Sequence, residues 1–355
     1  MTLDHVRDYV SSATVDPMSL PDTTPGLFAT RWVTHFCAPV FVFLSGVSAS
    51  LAGRSMSRPA LSRFLAVRGM WLIFLEWTVL RFAWMFNLDY HFPTYLGVIW
   101  AIGAAFLCLA GLIFLPRVWI AIFGLALILG HNAFDGLQSE HPIWAVLHSG
   151  KPIVIFGLPV LPYYALVPWI GVAATGYALG GHLRRKYAFG LLAIAAFVTL
   201  RFTNLYGDPA PWQPQRDALF TLFSFVNCTK YPPSLLYLLM TLGPALCLWA
   251  AFEKPRAWHK PFIVLGRVPL FYYIAHLYFI HAFVVLLYFA VGDFSNAQAV
   301  LHSAPFAYAT PLPGYGFSLP VVYAVWLTVV LALYPACRWF GALKQRYPRG
   351  LLRYL

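Results

Sequence analysis

The chain has very few charged residues for its length. Asp, Glu, Lys and Arg make up 10% of its 355 residues, whereas 60% of the residues are hydrophobic. A soluble domain carries about 25% charged residues, so this chain has too few of them to cover the surface of a globule in water. The composition excludes an ordinary soluble domain and predicts a protein whose solvent is lipid.

Other familiar features are also missing. The five cysteines form no CxxC pair and show no metal-ligand spacing, so we predict that they are packing residues and that the protein has no metal site. Residues 1–26 are polar and contain prolines, unlike a signal peptide. We find no repeat and no soluble domain. We therefore predict one membrane-embedded domain over 1–355, with an external N-terminal segment (1–31), a helix bundle (32–340) and a basic cytoplasmic tail (341–355).

Long apolar runs dominate what remains. A hydrocarbon core of about 30 Å requires roughly 20 apolar residues in a helix, and these runs lack the period-two alternation of a membrane barrel. The predicted fold class is therefore all-α, a polytopic transmembrane helix bundle. We expect nine visible spans, near 32–52, 67–88, 95–115, 117–132, 161–181, 187–203, 233–252, 266–291 and 319–340.

The distribution of charge predicts the orientation. The 24 Lys and Arg residues exceed the 12 Asp and Glu residues, giving a net charge of +12. Most of the basic residues follow the odd-numbered spans, and all acids except Glu76 and Glu253 lie in the other connections. By the positive-inside rule the C-terminus is cytoplasmic and the N-terminus is external. The membrane topology thus explains the positive net charge. We predict that the chain associates with the lipid bilayer and not with a nucleic acid.

The start of the chain holds a charged motif, Asp4-His5-Val-Arg7-Asp8-Tyr9. The charge pattern places it outside, yet no span precedes it. A preceding helix would carry this motif at its outer end and would give ten helices with both termini inside. We therefore expect that the chain lacks the usual first helix; the alternative is a true start with a mobile arm.

Six stretches resemble the heparan-alpha-glucosaminide N-acetyltransferase catalytic-domain family, in its bacterial branch. They occur in the same order and together extend over essentially the whole chain. The stretches are LDHVRDY (3–9), TTPGLFATRWVTHFCAPVFVFLSGVSA (23–49), GVIWAIG (97–103), VPWIGVAATGYALG (167–180), NCTKYPPSLLYLLMTLGPAL (227–246) and GRVPLFYYIAHLYFIH (266–281).

The resemblance implies a membrane acyltransferase of the bacterial plasma membrane that uses acetyl-CoA or another acyl-CoA as donor. In the wider clan of membrane acyltransferases, a first helix carries Arg, ten residues and then His. His5 fits the histidine position, but the arginine would precede Met1. This departure puts the activity of the chain as it stands in question.

Three residues near the start are the catalytic candidates. Acyl transfer needs a base to take the acceptor's proton, and His5 supplies an imidazole, the side chain whose ordinary pKa lies near neutral pH. Asp4 could orient that ring, as could Asp8; the alternative is a solvated loop. His35 lies near the outer end of the first span, where an ionisable side chain is either functional or bonded to a neighbouring helix.

Three more ionisable residues lie at membrane depth. Glu76 and Arg81 are five positions apart, which separates them by roughly 140° on a helix and prevents pairing. Each is therefore either a structural polar link or part of a pore or cofactor site. The resemblance suggests that His276 lines an acyl-transfer channel; a structural role between helices is the alternative.

Basic residues are the candidates for binding the donor. Arg184, Arg185 and Lys186 could bind the phosphates of coenzyme A through charge-assisted bonds, although topology alone explains such a cluster. Lys230, before the prolines of Lys230-Tyr-Pro-Pro-Ser234, is either a substrate contact at the outer mouth or a turn residue.

Three functions remain open from the sequence. The first is an acyltransferase that moves an acyl group from cytoplasmic acyl-CoA to a sugar hydroxyl or amine of a glycan or glycolipid at the outer face. The second is a transporter or flippase whose buried polar residues form a substrate or proton path, although we see no two-half symmetry. The third, a scaffold, would not need so many buried polar residues.

Overall fold

The computed structural model describes residues 1–12, 14–180, 185–254, 256–302 and 314–347. About 70% of the structure is helical, which confirms the all-α prediction. The helices are α1 (Thr2–Val10), α2 (Pro25–Thr34), α3 (Cys37–Ala52), α4 (Arg58–Leu75), α5 (Arg81–Met85), α6 (Val98–Leu112), α7 (Arg117–Gly130), α8 (Pro142–Trp144), α9 (Leu166–Leu179), α10 (Lys186–Thr203), α11 (Ala218–Val226), α12 (Leu235–Ala251), α13 (Lys260–Gly266), α14 (Pro269–Ala290), α15 (Phe294–Leu301) and α16 (Leu319–Arg346).

A small sheet, which the sequence did not predict, accompanies the helices. Its strands are β1 (Thr94–Tyr95), β2 (Ile153–Ile155) and β3 (Leu158–Leu161). The central strand β3 pairs in parallel with β1 and antiparallel with β2, so Val160 lies opposite both Thr94 and Ile153.

Five helical stretches of the described chain are long and apolar enough to cross a membrane. Three shorter apolar helices, α6, α9 and α12, accompany them. The multi-pass character is thus confirmed, while the number of nine spans stays a prediction. The five stretches are Pro25–Ala52, Arg117–Phe134, Lys186–Thr203, Pro269–Ala290 and Leu319–Arg346.

The outer faces of these helices are apolar as well. Leu192, Leu286 and Leu331 expose 66%, 65% and 63% of their surface, although each lies within a long apolar helix. A soluble protein presents polar residues on the outer face of its helices. Side chains of this kind are suited to contact lipid tails.

The chain divides into two compact units. The first contains Met1–Thr34, Thr78–Asp89 and Lys254–Leu355. In it, α1 packs against α14 and α16. The end of α1 is held by backbone bonds, since Phe317 N donates to Val10 O (2.7 Å) and Ser12 N donates to Phe317 O (2.9 Å). Gly316 permits this approach because its φ is +92° and a side chain there would collide with Ser12.

Within this unit α1 runs beside α14 in the same direction. Thr2 Oγ1 and Tyr272 Oη lie 2.7 Å apart near the start of both helices, and the rings of Tyr9 and His281 lie 5.1 Å apart further along. Six residues of α1 are buried. The N-terminal stretch is therefore a packed helix, unlike the solvated loop or mobile arm that the sequence alone allowed.

The second unit contains His35–Trp77 and Tyr90–Glu253. Its helices pack in pairs at glycines whose backbones approach closely, as is common between membrane helices. At the crossing of α7 and α9, a methyl group on Gly171 would lie 2.8 Å from the carbonyl oxygen of Gly124. Two further reciprocal pairs are Gly69 with Gly103, between α4 and α6, and Gly190 with Gly243, between α10 and α12.

Candidate active site

The first unit brings two histidines into direct contact. Nδ1 of His5, on α1, lies 2.7 Å from Nε2 of His276, on α14. Their rings are nearly parallel, with an angle of 10° between the planes. Trp84 packs its edge against the His5 ring at a centroid distance of 4.9 Å. His276 is fully buried, whereas His5 is partly exposed, so a reactant can approach the pair only from the His5 side.

The neighbours of His276 fix where the protons lie. Its Nδ1 is 2.8 Å from the carbonyl oxygen of Tyr272, and a carbonyl can only accept a hydrogen bond. Nδ1 of neutral His276 therefore carries the proton, and its Nε2 accepts a hydrogen bond from Nδ1–H of His5. Neutral His5 then carries its basic lone pair on Nε2. This arrangement is the one that a general base requires.

A network of charged residues holds α1 in place. The carboxylate of Asp4 accepts two hydrogen bonds from Arg31 Nη1, at 2.7 and 2.5 Å. Arg7 donates to Asp4 at 3.0 Å and to Asp8 at 2.6 Å. Asp4 and Arg7 are both buried. Asp4 therefore ties α1 to α2, while the partner of His5 at Nδ1 is a second histidine and not a carboxylate.

The C-terminal part of α1 is held by aromatic and carbonyl groups. Tyr9 Oη donates to the carbonyl of Trp84 at 2.7 Å. The phenol of Tyr315 donates to the carbonyl of Tyr9, and burial raises the pKa of Tyr315, so the phenol keeps the proton that it donates. These contacts hold the C-terminal end of α1 to Trp84 and Tyr315.

The other sequence-predicted residues hold backbone groups in place. Glu76 lies in a π-helical turn (Glu76–Leu80) that follows α4. Its Oε2 accepts a hydrogen bond from Trp100 N at 2.8 Å, so the carboxylate caps the N-terminus of α6. Arg81, in the first unit, donates to the carbonyl oxygens of Asn87 (2.8 Å) and Asp89. Both are structural links between chain segments.

His35 belongs to the second unit. It is 2% exposed and lies between α2 and α3. Its carbonyl accepts a hydrogen bond from Tyr237 Oη at 2.8 Å, and the two rings meet edge to face. Lys230, also in this unit, is buried, with its ammonium 5.0 Å from the ring centre of Tyr231.

The predicted phosphate-binding cluster is described only in part. Arg184 lies outside the described residues. Arg185 is exposed at the start of α10. Lys186 forms an ion pair with Glu253 at 2.7 Å and lies 5.1 Å from the ring centre of Trp249. In the first unit, Arg267 and Lys344 line a small cleft beside the start of α14.

Sequence reasoning missed two contacts of the site. It did not pair His5 with His276, which are 271 positions apart, and it did not assign Arg31 to Asp4. A signal for Arg31 existed, since it is a charged residue at the start of an apolar run, where an unpaired charge is costly.

The structure therefore defines a multi-pass, mainly helical membrane protein with a partly buried histidine pair. The chain belongs to the heparan-alpha-glucosaminide N-acetyltransferase catalytic family, whose model matches residues 18–210. Membership implies an acetyltransferase-type membrane enzyme. The matched range includes His35, Glu76 and Arg81, whereas His5 and His276 lie outside it. Neither the curated proteins nor the solved structures that were searched contain a match.

Proposed function

We propose that this protein transfers an acetyl group from cytoplasmic acetyl-CoA to a sugar hydroxyl or amine of a glycan or glycolipid at the outer face of the bacterial plasma membrane. The observation that carries this proposal is the proton order from Tyr272 O through His276 to His5. In neutral His5 it places the basic lone pair on Nε2, in the partly exposed member of the pair.

His5 acts as the general base in this reaction. Its Nε2 takes the proton of the acceptor's O–H or N–H group as that oxygen or nitrogen forms a bond to the acetyl carbonyl carbon. The carbon–sulfur bond then breaks and coenzyme A leaves as the thiolate, which the same proton can neutralise. His276 holds His5 in the required tautomer, so it is a positioning residue.

In the orientation predicted by the charges, the pair lies nearer to the cytoplasmic start of α14 than to its outer end. His276 is seven residues beyond the start of α14, which corresponds to about 10 Å along the helix. In the nine-span topology this start is cytoplasmic, and the basic cleft of Arg267 and Lys344 lies there. This cleft can hold phosphates of the donor, whereas the ammonium of Lys186 is already paired with Glu253.

The transporter alternative is less well supported by the buried charges. Glu76 caps a helix and Arg81 binds backbone carbonyls. Side chains that hold backbone groups in this way are suited to a structural role, because a proton path would require them to exchange partners.

Acetyl transfer by the purified chain tests the proposal. Coenzyme A thiol release from acetyl-CoA is measured with extracted cell-envelope glycans as acceptors. His5→Gln is expected to lower kcat by about 100-fold or more, the usual contribution of a general base, while acetyl-CoA binding is retained. His302→Gln, an exposed histidine of the same unit, is the control. A wild-type rate in His5→Gln would overturn the mechanism, whatever the rate of His35→Ala.

A further inference from the structure

Three side chains of the second unit form a cluster outside the histidine pair. His131 and Asp135 lie four positions apart at the end of α7, in and just after a 3-10 turn (His131–Phe134), and His148 lies in a π-helical turn (Ala145–Ser149). One ligand atom from each residue lies within 4.8 Å of the other two. Two imidazoles and one carboxylate are the groups that bind Zn²⁺ and related transition-metal ions.

Two of these residues already have the spacing of metal ligands. Nε2 of His148 is 3.1 Å from Oδ1 of Asp135. Ligands bound tetrahedrally at about 2.0–2.1 Å from Zn²⁺ lie about 3.3 Å from each other. Since the three ligand atoms lie within 4.8 Å of one another, His131 has to approach the other two by at most about 1.5 Å.

The buried ring of His131 indicates a bound ligand. Its side chain is 2% exposed, and both ring nitrogens are buried without a hydrogen-bond partner in the part of the chain that the structure describes. A buried polar atom of this kind normally has a partner. A metal ion between His131, Asp135 and His148 would supply it.

The surroundings fit the same interpretation. Oδ2 of Asp135 accepts a hydrogen bond from Asn132 Nδ2 at 2.8 Å, and Oδ1 of Asn132 accepts one from Leu235 N. Such outer-shell bonds orient the ligands of metal sites. The Trp144 ring covers His148 at 4.8 Å, while the Asp135 side chain is 24% exposed and leaves an entry path.

We propose that His131, Asp135 and His148 bind one divalent transition-metal ion of the Zn²⁺ type. The three ligands leave a fourth tetrahedral position for water. By binding His131 and His148, the ion would link the two ends of the connection that follows α7. This site differs from the initial prediction of no metal, which considered only cysteine spacing.

Metal binding to the purified full-length protein in detergent tests the proposal. Zn²⁺ affinity is measured by competition with a chromophoric chelator, and Co²⁺ substitution reports tetrahedral coordination by its visible absorption. The wild type is expected to bind one equivalent with a tetrahedral Co²⁺ spectrum. His131→Gln and His148→Gln should each lose at least about tenfold in affinity, because even outer-shell changes cost 10–100-fold.

Two variants separate loss of a ligand from loss of the fold. Asp135→Asn keeps the size of the side chain and its contact with Asn132, and it should weaken Zn²⁺ binding with an unchanged circular dichroism spectrum. His141→Asn alters an exposed histidine of the same connection and preserves its role as helix N-cap, so its affinity should equal that of the wild type. Equal Zn²⁺ affinity in the wild type and His131→Gln, or an octahedral Co²⁺ spectrum, would overturn the proposal. The test requires no acetyl transfer, so its result is independent of the proposed function.

Discussion

At the scale of single residues, the His5–His276 contact assigns different roles to two chemically identical side chains. His276 has both ring nitrogens engaged, one with Tyr272 O and one with His5. Of the two residues, only His5 is partly exposed. The outer ring can exchange a proton with a reactant, whereas the inner ring determines which nitrogen of the outer ring is basic.

Two substitutions of His276 test whether it acts by accepting the Nδ1–H hydrogen bond of His5. His276→Gln retains an oxygen that accepts the Nδ1–H of His5, so it should lower kcat by about tenfold with little change in the KM for acetyl-CoA. His276→Leu removes the acceptor and should lower kcat by about 100-fold or more. Steady-state kinetics of both variants, with pH–rate profiles, provide the measurement.

The Gln and Leu variants also test a purely structural role for His276. A structural role predicts parallel losses of kcat and thermal stability in both variants. If His276→Gln and His276→Leu are equally slow and equally unstable, the positioning role is contradicted.

At the scale of helices, paired glycines set the distance between backbones in the second unit. Between helices in lipid there is no hydrophobic driving force, so close packing has to supply the attraction. The reciprocal contact of Gly124 and Gly171 shows the spacing that α7 and α9 require.

Gly171→Ala is expected to destabilise the protein. The added methyl group would lie 2.8 Å from the Gly124 carbonyl oxygen, so α7 and α9 must separate. We expect a lower unfolding temperature in detergent and less monodisperse protein by size exclusion. Gly111→Ala is the matched control: Gly111 lies in α6 with open space around it, and Ala there should be neutral or stabilise by about 0.5–1 kcal/mol. Equal stability of the two variants would refute the packing argument.

Most helices could be predicted from the sequence because their apolar runs are local signals. The run over 67–88 does form helix, but it is divided by a π-helical turn at Glu76–Leu80, whose first residue binds α6 across 24 positions of sequence. The small sheet joins Thr94 to Val160, a pairing that no local pattern encodes. Similarly, the positive-inside rule predicts an external N-terminal segment, but no local pattern encodes the packing of α1 along α14 or the ion pair of Asp4 with Arg31.

The candidate site was only half predictable for the same reason. His5 and His276 were each recognisable as ionisable residues in unusual surroundings. Their contact depends on how α1 lies along α14, which is determined by distant partners such as Phe317 and Tyr272. The His131 cluster combines three residues from two turns, and only its four-residue His–Asp spacing was visible in the sequence.

At the scale of the whole molecule, the charge pattern predicts which connections face each side of the membrane. Gln138→Cys should react with a membrane-impermeant maleimide in intact cells, because the connection after α7 is predicted to be external. Ser55→Cys, in the connection after the first span, should react only after permeabilisation. Both positions are exposed, and the unmodified chain gives the background from its own cysteines. The reverse labelling pattern would contradict the predicted orientation and, with it, the proposed direction of acetyl transfer.

The 271-residue separation of His5 and His276 has a consequence for biosynthesis. At about 5–20 residues per second, α1 leaves the ribosome roughly 15 to 50 seconds before α14 exists. During this interval the polar helix α1 lacks the surface against which it finally packs. Arg31 follows Asp4 by only 27 positions, so their ion pair can form almost at once. We infer that this early pair protects the acidic start of the chain from lipid until the last helices arrive.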